Sequence, residues 1–186
     1  LPEFLQQQLK SIEGPVIEIP EGLSQFIDYK NLTNDTSHIE ELCKPFTYKK
    51  SDGIEVSKHA GAHFYTIGQR KGLHIGGRPQ PSFVIATNTE ENIVYSGQTD
   101  AHPGLNRIAL KIESGSQNWI SRHNEHEEID YDFRIRYRQS LQKGKLVQKN
   151  GSYYVLFHNK QKGISPGQFV AWYEKDVLVG SGVIEN

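Results

Sequence analysis

Three arginines alternate with apolar residues in the C-terminal half of the chain. Residues 129–138 read Ile-Asp-Tyr-Asp-Phe-Arg-Ile-Arg-Tyr-Arg. A period of two places Arg134, Arg136 and Arg138 on one face of a strand, about 7 Å apart. Arginine donates paired hydrogen bonds to phosphate and stacks on bases, so such a row can follow an RNA backbone. An amphipathic strand with a solvated face has the same pattern, and the residues alone leave both interpretations open.

A glycine-rich segment at residues 65–78 is the second candidate. It reads Tyr-Thr-Ile-Gly-Gln-Arg-Lys-Gly-Leu-His-Ile-Gly-Gly-Arg. Glycine permits positive φ and close backbone approach, and Arg70 and Lys71 stand between glycines, which suits an anionic group. Neither G-x-x-x-x-G-K-[ST] nor G-x-G-x-x-G before a helix is present. Composition alone slightly favours a wide hairpin loop.

Histidine and cysteine give no further candidate. His59 and His63 are four residues apart, but they lie at a Gly/Ala-rich strand entry without the partners of a zinc site. Cys43 is the single cysteine, and the acidic residues beside it do not favour a thiolate. The sequence therefore predicts no metal site, no bound cofactor and no catalytic residue in this chain.

Composition limits the class of protein. The 186 residues include 35% hydrophobic and 10% aromatic residues, which is enough for a core, and their net charge is −1. No apolar run approaches the roughly 18 residues of a membrane span, and no signal peptide is visible, so we expect a cytoplasmic protein without membrane contact. Residues 134–173 carry eight bases and no acid, which favours an anionic partner. Methionine is absent, which suggests a piece of a longer protein.

The elements that must position these residues are mostly short strands. A helix is expected at Leu1–Ser11, and residues 21–58 form a loop-rich insertion in which Ser37–Leu42 could make one helical turn. Asn150-Gly151 predicts a type I′ hairpin. The fold class is mainly β, with two small β domains at 1–105 and 106–186, the second an antiparallel β-barrel. Strands are expected at Val16–Ile19, His63–Ile67, Phe83–Thr87, Asn92–Ser96, Arg107–Ile112, Ile129–Arg138, Lys145–Lys149, Ser152–Asn159, Gln168–Tyr173 and Asp176–Ile184.

Several of these segments, read together, resemble the tRNA-specific 2-thiouridylases. Their order and spacing follow that family from residue 60 to the end, and the Tyr65–Leu73 run is the most specific. The matching segments are Glu3–Leu5, Tyr65–Leu73, Ile75–Gly77, His102–Leu105, Ile135–Gln139, Ser165–Gln168 and Val179–Ile184.

The resemblance implies a three-part enzyme that makes 2-thiouridine at the wobble position of tRNA. An N-terminal ATP-pyrophosphatase domain adenylates the uridine, and a cysteine persulfide delivers sulfur from a sulfur-relay protein or cysteine desulfurase. This chain resembles the two β domains that follow, of which the second is a translation-factor-like barrel. By the same resemblance, we expect the chain to lack the ATP loop and both catalytic cysteines. The tRNA-contacting positions implied for it are Arg136, Tyr137, Arg138 and Gln168, with Arg70 and Lys71 from the other domain.

The sequence departs from the family pattern in three places. Residues 21–55 are longer than usual, His74 stands where a glycine is usual, and Cys43 matches neither catalytic cysteine. The alternative to a thiouridylase half is a free-standing, non-catalytic RNA-binding β-barrel. An ATP-pyrophosphatase domain encoded immediately upstream in the same reading frame would distinguish the two. Methyl transfer is rejected because no glycine-rich strand-to-helix loop for S-adenosylmethionine is present.

Overall fold

The computed structural model describes residues 11–120 and 127–185. Contacts divide the described residues into two compact units, the first made of 11–28 with 46–106 and the second of 29–45 with 107–120 and 127–185. The sequence assigned residues 29–45 to the first domain, whereas this segment packs with the second unit. The helix expected at Leu1–Ser11 lies outside the described residues except for Ser11.

The first unit is built on a four-stranded sheet in the order β2-β1-β4-β3. Its pairs are antiparallel except that β1 runs parallel to β4. Successive residues of β1 point to opposite faces of the sheet, so that Val16 and Ile17 enter two different apolar clusters. Both faces of the inner part of the sheet are therefore buried, which explains the nearly continuous apolar runs in β3 and β4. The strands are β1 (Gly14–Glu18), β2 (Ile54–His59), β3 (Ser82–Asn88) and β4 (Ile93–Gln98).

The predicted loop-rich insertion is more ordered than its composition suggested. It contains helix α1 (Ser24–Asn31), helix α2 (Ile39–Cys43) and strand β2. Phe26 of α1 is fully buried, and its ring meets the ring of Phe46 edge-on at 4.9 Å. The helical turn predicted at Ser37–Leu42 is confirmed, whereas α1 and β2 were missed because their apolar residues are too few for a clear period.

The second unit is a seven-stranded sheet in the order β5-β9-β8-β7-β10-β11-β6. Beyond β11, Ile184 forms a bridge with Ile112 at the end of β5, so hydrogen bonds also join β5 to the far side of the sheet. The core centres on Trp172 and Phe133, both fully buried. The strands are β5 (Asn106–Ile112), β6 (Asn118–Trp119), β7 (Glu128–Arg134), β8 (Gln142–Lys149), β9 (Ser152–Lys162), β10 (Phe169–Glu174) and β11 (Val177–Val183).

The mainly β fold with two sheets is confirmed, and the strand predictions are largely right. Asn150 and Gly151 have φ values of 51° and 75°, as the predicted type I′ turn requires. The strand predicted at His63–Ile67 is wrong, because residues 62–64 form a 3₁₀ turn. The strand predicted at Ile129–Arg138 is four residues too long, since β7 ends at Arg134.

Candidate nucleic-acid interface

The candidate surface lies where β7 ends. Side chains alternate as predicted up to Arg134, with Phe133 buried in the core. The prediction that Arg134, Arg136 and Arg138 share one strand face is therefore wrong, because Arg136 and Arg138 lie in a turn that follows the strand. The N–H of Gln139 donates to the carbonyl of Arg136 at 3.2 Å, and Arg138 adopts φ 69°, which closes the turn.

Three glutamines hold this turn, which spans residues 135–139. The Gln139 side chain accepts from the backbone N–H of Ile135 at 3.1 Å and donates to Oε1 of Gln161 at 2.9 Å. Gln161 is buried, and its amide donates to the carbonyl of Asn159 at 2.8 Å and to Oε1 of Gln142 at 3.3 Å. The turn is thus fixed to the ends of β8 and β9. Sequence reasoning missed this network, whose only signal was polar amides within strands.

The tip of the turn presents an aromatic ring and a guanidinium to solvent. Tyr137 is 90% exposed, although a period of two would place it on the strand face opposite the arginines. The guanidinium of Arg138 lies 5.6 Å from the centre of the Tyr137 ring, a cation–π arrangement. The pair can therefore offer both a stacking face and a positive charge to one ligand.

Arg136 has a different role from Arg138. Its guanidinium donates to the carbonyl of Lys162 at 2.7 Å and to the carbonyl of Gly163. Desolvation lowers the pKa of Arg136 from its ordinary value, but arginine stays protonated at neutral pH. Arg136 therefore anchors the turn to the loop after β9.

That loop also carries Gln168. The Ser165 hydroxyl donates to the Gly163 carbonyl at 3.1 Å, the same carbonyl that Arg136 contacts. Gly167 has φ 75°, which suits the third position of a Pro-Gly turn, and the half-buried Gln168 follows it. Because Ala171 of β10 pairs with Arg134 of β7, Gln168 lies at the same end of the sheet as the turn.

The positively charged surface is smaller than the count of basic residues along the sequence indicated. Acidic residues of β7 cross to β8, where Asp132 bonds Lys143 at 2.9 Å and Glu128 bonds Lys145 at 2.9 Å. Two of the eight bases are therefore paired with carboxylates. Segments 133–143 and 158–173 contain no acid at all, so the charge concentrates at the end of the sheet that carries the turn.

Arg70 and Lys71 lie in the first unit, in a loop held by hydrogen bonds within itself and to β3. The N–H of Gly68 donates to the Val84 carbonyl at 2.8 Å, and the Gln69 amide donates to the Lys71 carbonyl at 2.8 Å. Both cationic side chains are exposed. Arg78, from the same glycine-rich segment, instead pairs with the buried Glu18. His74 has φ 48°, in the left-handed region that favours glycine.

Cys43 is buried in the second unit. Burial raises the pKa of its thiol to about 12, so it is protonated at neutral pH. Residues 11–120 and 127–185 contain no group of three or more side chains that would suit a metal ion. None of the helices within those ranges is long and apolar enough to cross a membrane.

Comparison with known proteins gives matches to both units. Residues 110–184 match the family model described as an aminomethyltransferase beta-barrel domain, and residues 43–98 match that of a tRNA methyl transferase PRC-barrel domain. A tRNA-specific 2-thiouridylase from Christiangramia forsetii is 45% identical over 99% of this chain and 48% of that protein. The corresponding protein of Flavobacterium johnsoniae is 43% identical over the same shares, and that of Karelsulcia muelleri 38% over 97% and 46%. The chain thus spans about half the length of these relatives.

Proposed function

This chain belongs to the family of the tRNA-specific 2-thiouridylases, and on that premise we propose that it is the tRNA-contacting C-terminal half of such an enzyme. The whole protein would convert the wobble uridine of tRNA to 2-thiouridine by ATP-dependent adenylation and persulfide transfer. Arg136, Tyr137, Arg138 and Gln168 of the second unit would contact tRNA. Arg70 and Lys71 would give the first unit its own contact with tRNA.

The single observation that carries the proposal is the turn 135–139. It holds Arg138 and an almost fully exposed Tyr137 on a rigid base of amide hydrogen bonds, within a sequence segment, 133–143, that contains no acid. A guanidinium fits phosphate, and an exposed ring fits a base. A merely solvated face requires neither an exposed aromatic ring nor a fixed turn.

The chemistry of sulfur transfer would be supplied by residues outside this chain. The sequence has no S-G-G-x-D-S loop, so its residues do not fit ATP in the manner of that family. Sulfur transfer needs a thiolate, and burial raises the pKa of the Cys43 thiol to about 12, which keeps it protonated at neutral pH. We therefore assign no sulfur-carrying role to Cys43. We propose that the whole enzyme acts in the cytoplasm and receives its sulfur from a sulfur-relay protein or cysteine desulfurase.

The test compares Arg138→Ala with Lys143→Ala as a matched control. Both residues are basic and belong to the same region, but Lys143 is paired with Asp132. We expect Arg138→Ala to weaken tRNA binding and to lower the log–log salt slope by about one unit, because one phosphate contact is lost. Lys143→Ala should change the slope less.

The same substitutions, made in a longer protein that contains this chain, give a second readout. Arg138→Ala is expected to slow formation of 2-thiouridine in tRNA, measured by mass spectrometry, while Lys143→Ala leaves it nearly unchanged. Wild-type affinity and salt slope for both variants would contradict the proposal. A wild-type longer protein that binds tRNA but never forms 2-thiouridine would favour the free-standing RNA-binding module instead.

A further inference from the structure

A second aromatic ring is exposed beside the turn. Phe169, the first residue of β10, is 63% exposed, whereas its neighbour Val170 is fully buried. The period of two directs Val170 and Trp172 into the core and Phe169, Ala171 and Tyr173 outward. A phenylalanine ring left in water forgoes the stabilisation that burial gives. Single exposed apolar residues are common on proteins, so what marks Phe169 is a second exposed ring, Tyr137, at the same end of the sheet.

The surroundings of Phe169 indicate what that ligand is. Ala171 pairs with Arg134, so β10 begins at the end of the sheet where the turn 135–139 follows β7. Gln168 directly precedes Phe169, and the loop before it is bonded to Arg136 through the Gly163 carbonyl. All charged residues in segments 133–143 and 158–173 are positive. Exposed aromatic rings among cations suit an anionic polymer that carries flat rings.

We propose that Phe169 stacks on an unpaired nucleobase of the bound RNA, as a contact additional to those proposed above. The inference rests on the proposed function and states the form of RNA that this surface takes. Bases within a duplex already stack on one another, whereas a base in a loop offers a free face to an aromatic side chain. Every base has such a face, so Phe169 contributes affinity for unpaired RNA and little preference among bases.

The ionic and stacking contacts are separable. Arg138 meets phosphate in single-stranded and duplex RNA alike, while Phe169 can stack only where a base is free. Removal of the ring should therefore weaken binding to single strands and leave duplex binding unchanged. Removal of the arginine should weaken both.

The experiment measures binding of the chain to a single-stranded oligouridylate of about twelve nucleotides and to a duplex of equal length. The variants are Phe169→Ala, Phe169→Leu and Phe169→Tyr, with Val177→Ala as the control. Val177 is a 67% exposed apolar residue that begins β11 and pairs with Glu174 at the opposite end of β10. We expect Phe169→Ala and Phe169→Leu to lose about fivefold or more for the single strand, and Phe169→Tyr and Val177→Ala to retain wild-type affinity.

The outcomes separate this inference from the proposed function. Wild-type binding by Phe169→Ala, with weakened binding by Arg138→Ala, overturns the stacking and leaves the function standing. Wild-type binding by Phe169→Leu also overturns it, because leucine has no flat face. Equal losses on both RNAs mean a general surface effect and overturn it as well. A wild-type chain that binds neither RNA overturns the proposed function and the inference together. Tryptophan fluorescence melting confirms that each variant is folded.

Discussion

The Gln139→Leu substitution tests whether the glutamine network holds the turn 135–139. It removes the acceptor for the N–H of Ile135 and the donor to Oε1 of Gln161 while nearly keeping side-chain volume. Ile135 is 4% exposed and Gln161 3%, so water cannot replace the lost partners without local opening. Each buried polar group left without a partner costs about 1–3 kcal/mol, so the two groups together give about 2–6 kcal/mol for the variant.

The assay is urea unfolding followed by tryptophan fluorescence. The chain has two tryptophans, Trp119 and Trp172, and both lie in the second unit, so the signal reports that unit alone. Gln142→Leu is the matched control. It removes a longer bond of 3.3 Å to Gln161, whose amide keeps the Asn159 carbonyl. It also removes two exposed bonds from the Gln142 amide to Ser140, where water can take its place, so it should cost less than about 1 kcal/mol. A loss below about 0.5 kcal/mol for Gln139→Leu, or equal losses for both variants, would refute the reasoning.

Two further predictions concern one interior position in each unit, His102 in the first and Gly180 in the second. Desolvation lowers the pKa of His102, whose Nδ1 accepts from Gly104 and whose Nε2 bonds the Ile19 carbonyl, so the unfolded chain takes up the proton first. The first unit should therefore keep its full stability above about pH 6.5 and lose, on acidification, at most about 1.4 kcal/mol of stability per pH unit for this proton. Unfolding followed by circular dichroism should show a shallower loss in His102→Asn. An identical pH profile for the variant would contradict the prediction. A Cβ at Gly180 would lie 2.7 Å from the Trp172 ring, so Gly180→Ala should cost about 1–3 kcal/mol by urea unfolding, whereas a wild-type midpoint would show that the ring yields.

The sequence alone determined the local features whose signals lie within a few residues. Alternating apolar residues predicted most strands, because burial of one sheet face requires a period of two. Asn150-Gly151 predicted its hairpin since both residues tolerate positive φ. The row of arginines was also visible from the residues alone, whereas Tyr137 and Gln168 were indicated only by the resemblance to the 2-thiouridylases.

Tertiary structure decided what depends on partners distant in the chain. The alternation of residues 129–138 carried no sign that β7 stops at Arg134, because the stop is made by Gln139, held in turn by Gln161 of β9. Carboxylates of β7 neutralise Lys143 and Lys145 across strands, which a count along the sequence cannot register. Exposure of Phe169 follows from the register of β10 against β7, since a shift by one residue would bury that ring and expose Val170.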